Sequence, residues 1–146
     1  MRTYLLDTNI ISYLADPSST SHNDILEATK SLPDENRLTI SLLTLYELAY
    51  GYVRAPGHSR LLAIVREEGI EVLLPSEAGA DVFARLKEAY RLHTGIRERA
   101  LARHNLDLIL ASTAIVAGAV LVSNDAIFAT LAELEPRLSV ENWAKS

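Results

Sequence analysis

Tyr4-Leu5-Leu6-Asp7-Thr8-Asn9-Ile10-Ile11 is the stretch on which the fold turns. An apolar run stops at a carboxylate, a hydroxyl and an amide, and helical spacing begins directly behind them. Leu5 and Leu6 stand side by side without alternation, the pattern of a strand covered on both faces, as parallel strands in α/β proteins are. The stretch therefore predicts a buried strand that delivers Asp7 to the edge of a sheet. Taken alone, Asp7 reads equally well as a helix N-cap, because Asp, Thr and Asn all accept hydrogen bonds from helix-starting amides.

Downstream, the same arrangement returns. Asn9 to Ala15 and His22 to Leu32 have helical spacing, separated by Asp16-Pro17-Ser18-Ser19. Arg37 to Ser41 reads as a strand, followed by a helix over Leu43 to Val53 with Thr44 as its N-cap. His58 to Glu68 reads as a helix closed by Gly69, and Ile70 to Leu74 as a short strand. The longest helical pattern runs from Glu77 to about His93 and breaks at Gly95. Leu106 to Ala117 is helical up to Gly118, Ala119 to Ser123 is a continuous apolar strand, Asn124 to Leu134 is a last helix, and Leu138 to Val140 is a short edge strand. Strands alternating with helices predict a three-layer α/β fold with a central parallel sheet. There is no repeat or linker, so residues 1–146 read as one domain.

Composition narrows the chemistry. No apolar run approaches the roughly 18 residues of a membrane span, and no basic, apolar leader opens the sequence, so a soluble cytoplasmic protein is expected. The chain has no cysteine, which excludes thiol catalysis and thiolate metal sites. A net charge of −5 argues against a general nucleic-acid coat, yet Arg85, Lys87, Arg91, Arg97, Arg99 and Arg103 stand against only Glu88 and Glu98 between positions 85 and 104. This local basic segment is either a solvated helix face or a contact for phosphates.

Topology brings four acids together. Asp7 and Asp125 each follow a strand, and in a parallel sheet both emerge at the carboxyl edge, where α/β proteins bind ligands. A helix returning antiparallel to its strand starts at that same edge, which is where Glu47, near Thr44, and Asp107, in the first turn of its helix, would lie. Each acid has a structural alternative. Thr44-x-x-Glu47 has the form of a capping box, Asp107 suits a helix N-terminus, and Ser123-Asn124-Asp125 is another possible cap. Clustered carboxylates repel by roughly 4 kcal/mol per pair at about 4 Å in an effective dielectric of 20, so a site built from them calls for a cation. An oxygen-rich, anionic pocket suits Mg²⁺ or Mn²⁺, and with either metal it suits hydrolysis of phosphodiesters.

These segments resemble the PIN domain, and within it the VapC-like toxins of bacterial toxin-antitoxin systems. The resemblance is carried by Leu5-Leu6-Asp7-Thr8-Asn9, by Ser41 through Leu48, by Asp107 through Ile115, by Leu121-Val122-Ser123-Asn124-Asp125, and by Val140-Glu141-Asn142-Trp143. It implies a Mg²⁺- or Mn²⁺-dependent endoribonuclease of PIN-like fold with Asp7, Glu47, Asp107 and Asp125 as its catalytic and metal-binding acids. Thr8, Asn9 and Ser123 would support them, Ser123 replacing the Thr more usual in the family. The resemblance also implies a homodimer neutralised by a small antitoxin. The segment from His93 to Asn105 looks longer and more basic than in compact members.

On this reading the basic segment holds the RNA backbone, while Tyr46, Tyr50 and Tyr52 are candidates either for base stacking or, more simply, for the core. Two rivals remain. A phosphatase of the haloacid dehalogenase type also begins with a strand ending in Asp, but it needs a second Asp where this chain has Asn9. A catalytically silent module would use the acidic pocket to dock a basic peptide.

Overall fold

In the computed structural model, which describes residues 1–55 and 60–144, β1 (Thr3–Leu6) is the central strand of a five-stranded parallel sheet. Its alternating side chains explain the unbroken apolar run. Leu5 packs with Val82, Leu86, Leu108, Ala111, Leu121 and Phe128 on one face, and Tyr4 and Leu6 pack with Ile10, Ile11, Ile25, Ile40, Val65 and Trp143 on the other. Leu5 and Leu6 are both fully buried, and each such side chain contributes about 1.5–3 kcal/mol.

From β1 the chain passes through α1 (Thr8–Ala15) and α2 (His22–Lys30) to β2 (Arg37–Ser41). It continues through α3 (Leu42–Arg54) and α4 (Arg60–Glu67) to β3 (Glu71–Leu73). These helices cover the Tyr4 and Leu6 face. The chain then crosses back through α5 (Glu77–Thr94), the short α6 (Glu98–Leu101), a 3₁₀ turn (Ala102–His104) and α7 (Asn105–Ala117). β4 (Val120–Val122), α8 (Ala126–Leu134) and β5 (Ser139–Glu141) complete it, with α5, α7 and α8 covering the Leu5 face. The strand order is β3-β2-β1-β4-β5, with Leu6 beside Val122 and Val122 beside Glu141. The chain leaves β1 toward β2 and later returns to β1's other side, so the crevice between the ends of β1 and β4 is the topological switch point.

Most predicted elements fall within a residue or two of their places. Gly95 and Gly118 stop α5 and α7 in the left-handed region, with φ of 69° and 64°, where a residue with a Cβ would be strained. His58, the predicted start of the fourth helix, lies outside the described residues. One expectation is corrected. Thr44 does not cap α3: β2 runs directly into the helix, so Ser41 is the N-cap, its Oγ accepting from the Leu43 amide at 3.2 Å, and Thr44 is buried inside the first turn. The basic stretch behind Gly95, to which no element was assigned, carries α6 and the 3₁₀ turn, too short for a helical period to register.

Candidate active site

Asp7 arrives at the switch point because its amide extends the sheet, donating to the Val122 carbonyl at 3.0 Å. Its carboxylate is shared between two tasks. Oδ1 caps α1 by accepting from the Thr8 amide at 2.7 Å, and Oδ2 accepts from the Ser123 hydroxyl at 2.8 Å. Burial pushes the Asp7 carboxyl above its ordinary range, and Asp107 and Asp125 push it further, against the lowering effect of the Ser123 and Thr8 hydrogen bonds.

Ser123 links the two strand ends. Its amide donates to the Glu141 carbonyl at 3.1 Å, which holds the backbone behind β4 in the sheet. Its Oγ, while donating to Asp7, accepts from the Asp125 amide at 3.0 Å. Asp125 in turn caps α8, Oδ1 accepting from the Ile127 amide at 3.3 Å, and its side chain is exposed.

Glu47 reaches the site from the second turn of α3. With Ser41 as N-cap, Thr44-x-x-Glu47 is not a capping box, and the helix end makes no demand on Glu47. Its Oε1 instead lies 3.4 Å from the Thr8 hydroxyl, which also reaches Thr44 Oγ1 at 3.2 Å. Desolvation raises the Glu47 carboxyl, the bond from Thr8 lowers it, and the charges of Asp7 and Asp107 raise it again. Asp107, in the first turn of α7, is likewise raised by burial and by Asp125, against the pull of His104. His104 Nδ1 stands 3.5 Å from Asp107 Oδ2, and its ring meets Tyr90 edge-on at 5.5 Å.

The four predicted acids thus act on one another across the same edge, although they come from four separate segments. Asn9 is exposed on the first turn of α1. Sequence reasoning missed two groups. His104 stands three residues before Asp107, an i,i+3 spacing that was available to find it, whereas Thr44 was read as the N-cap and lies inside the first turn, in reach of the Thr8 hydroxyl. Two open concavities flank the acids: one of about 490 Å³ bordered by Ser123, Asn124, Asp125 and Asn142, and one of about 530 Å³ bordered by Tyr46, Glu47, Tyr50, Gly51 and Arg54.

An all-oxygen, mutually repelling donor set fits a hard divalent cation. Among the described residues no three His, Asp or Glu side chains close into a ready cage.

Fold and site together define a PIN domain, and the PIN-domain family model matches residues 4–134. The chain belongs to that family and, within it, to the VapC toxins of VapBC toxin-antitoxin systems. It is 30% identical over 145 residues to Ribonuclease VapC2 of Rickettsia felis, covering 97% of this chain and 98% of that protein. The crystal structure of VapBC2 from Rickettsia felis bound to a DNA fragment from their promoter superposes with a TM-score of 0.72 at 28% identity, over 97% of this chain and 98% of that one. VapBC-1 from nontypeable Haemophilus influenzae gives a TM-score of 0.72 at 26% identity, over 98% and 99% of the two chains. The protein is therefore a homologue of ribonuclease toxins, and such homologues have been crystallised with their antitoxins. No helix among the described residues is long and apolar enough to cross a membrane.

Proposed function

We propose that this protein is a cytoplasmic, divalent-metal-dependent endoribonuclease, the toxin of a toxin-antitoxin pair, carried by residues 1–146 as one domain. The observation that carries this reading is the convergence of Asp7, Glu47, Asp107 and Asp125 on the switch point from four separate segments, where burial and neighbouring acids raise the carboxyls of Asp7, Glu47 and Asp107. Asp7, Glu47, Asp107 and Asp125 would hold Mg²⁺ or Mn²⁺, which when bound activates water and offsets charge developing on the scissile phosphate.

The chain's own groups do the rest. Ser123 fixes the orientation of the Asp7 carboxylate and of the Asp125 backbone at once. Thr8 steers Glu47 toward the other acids, so that its carboxylate can accept a proton from the attacking water. Arg97, Arg99 and Arg103, exposed and without ion pairs among the described residues, would hold the RNA backbone next to Asp107. A small antitoxin and a second copy of the chain are the expected protein partners, as family membership supports.

The test is incubation of the purified protein with RNA in Mg²⁺, in Mn²⁺ and in chelator, with Asp7→Asn as a control for contaminating nuclease. Cleavage by wild type alone, abolished by chelator, is expected. A metal-loaded wild type that leaves RNA intact, or that hydrolyses only small phosphate esters, would overturn the reading.

A further inference from the structure

The outer face of α3 carries aromatic surface for which the fold has no use. Tyr46 is 67% exposed and Tyr50 is 57% exposed. Core packing was the simpler reading of these side chains, but α3 satisfies the core through Thr44 and Leu48, which leaves the tyrosines on the opposite side. Tyr46, Tyr50 and Arg54 recur every four residues and so form one ridge of the helix, rising about 6 Å per step. Glu47 and Gly51 form the adjoining ridge. All five residues line the same open concavity of about 530 Å³, and Glu47 ties it directly to the acidic site.

Gly51 is informative because no packing or backbone demand among the described residues explains it. A glycine within a helix costs about 1 kcal/mol relative to alanine. Its φ is not positive, and a Cβ added there would meet no atom of the described residues within 4 Å. The space beside it is open, and Gly51 lines the concavity together with the two tyrosines and Arg54. Arg54 is exposed and makes no ion pair among the described residues.

We propose that Tyr46 and Tyr50 are a stacking platform for unpaired bases of the RNA beside the scissile phosphate, with Gly51 admitting the nucleotide close to the helix and Arg54 meeting its backbone. Two aromatic faces followed by a cation, each one turn apart and open to solvent, are the chemistry that takes single-stranded nucleic acid. A base in a duplex has no free face to offer, so the platform selects single-stranded or looped RNA. This inference rests on the ribonuclease reading. Tyr46 and Tyr50 are positioning residues, and they touch none of the reacting atoms.

The test separates binding from cleavage. Binding is measured by anisotropy of a labelled single-stranded RNA, and of the same sequence in a duplex, on Asp7→Asn protein so that the RNA stays intact. Adding Tyr46→Ala and Tyr50→Ala should weaken single-strand binding by roughly fivefold to a hundredfold per tyrosine, while Tyr→Phe at both positions should preserve it. Duplex binding should change little. In the otherwise wild-type enzyme the same Ala pair should raise KM far more than it lowers kcat. Tyr→Leu at both positions keeps apolar bulk without an aromatic plane, and should bind as poorly as the Ala pair. Gly51→Ala should raise the melting temperature and weaken RNA binding together.

Unchanged single-strand affinity in the Ala pair overturns the platform, as does full affinity in the Leu pair. Loss of affinity that accompanies a change in molar mass by light scattering also overturns it, because the face is then a contact between copies of the chain. A wild type that binds single strands through these tyrosines yet never cleaves them would sink the nuclease reading and leave the platform standing.

Discussion

Ser123 Oγ lies 2.8 Å from Asp7 Oδ2 and donates to it, joining two residues 116 positions apart in the chain. The same oxygen accepts from the Asp125 amide, so one hydroxyl sets two of the four acids. Ser123 is buried, and Ser123→Ala would leave the Asp7 oxygen and the Asp125 amide each short of a partner, at about 1–3 kcal/mol per unsatisfied group. Losing the Ser123 bond removes an influence that lowers the Asp7 carboxyl, so its pKa climbs further. The expected outcome is a roughly 10- to 100-fold drop in cleavage with the acidic limb of the pH–rate profile moved to higher pH. Ser123→Thr, which keeps the hydroxyl, should restore both rate and profile. An unmoved profile in the Ala variant would show that the hydroxyl does not govern Asp7.

Glu47→Gln tests the acid that the helix does not need. Because Ser41 caps α3, removal of the Glu47 charge costs no cap, and it relieves repulsion with Asp7 and Asp107. The melting temperature in chelator should stay level or rise slightly, while cleavage falls by two orders of magnitude or more, the scale of a lost general base. Calorimetry alongside a cleavage assay checks both. A variant that cleaves normally would remove Glu47 from the site.

What was legible in the sequence, and what was not, follows from how far each signal reaches along the chain. The Leu5-Leu6 doublet announced a strand buried on both faces, since both covering layers leave their mark in two adjacent residues. Asp7, Glu47, Asp107 and Asp125 could be grouped because a parallel topology sends strand ends and helix starts to one edge. The Thr44 cap was misread because Ser41 and Thr44 both precede the helical pattern, and only the absence of a loop after β2 tells which hydroxyl stands at the helix start. Tyr46 and Tyr50 were weighed toward the core because exposure is set by the face that α3 turns to the sheet. Spacing within a helix without a strongly polar side cannot report that face.

The basic segment also divides in a way that charge counting does not foresee. Arg85 pairs with Asp81, Arg91 with Glu88, and Lys87 donates to Asn105, which leaves Arg97, Arg99 and Arg103 as the unpaired cations among the described residues of that stretch. Each phosphate contact on a single strand contributes about 0.7 to the slope of log affinity against log salt. Replacing the three with Ala should therefore flatten that slope by about 2, whereas Arg85→Ala with Arg91→Ala should barely change it. Equal effects from both sets, read from binding titrations across salt concentrations, would mean that the segment acts only through net charge.

The acidic site should also make the metal-free protein less stable near neutral pH, and Asp7 is where this can be isolated. Its folded-state carboxyl is raised above the ordinary value of 3.8, as are those of Glu47 and Asp107 above theirs. A raised acid binds its proton more readily folded than unfolded, so its contribution to stability is fully present below the unfolded value and is lost as pH rises through the folded one. In chelator, the melting temperature of the wild type should accordingly fall as pH rises from about 4.5 toward 7. Acids lowered by exposed pairing or local hydrogen bonds, such as Glu88 and Glu135, act in the opposite sense below that window and do not obscure it. Asp7→Asn keeps an oxygen for the Thr8 amide and can donate to Ser123, but it carries no charge. The variant should melt at or above the wild-type temperature at pH 7 in chelator and show a shallower pH dependence. It should also gain less from added Mg²⁺, since an ion stabilises only the state that binds it. A variant clearly destabilised at pH 7, with undiminished gain from Mg²⁺, would make Asp7 a helix cap alone and would place the metal elsewhere.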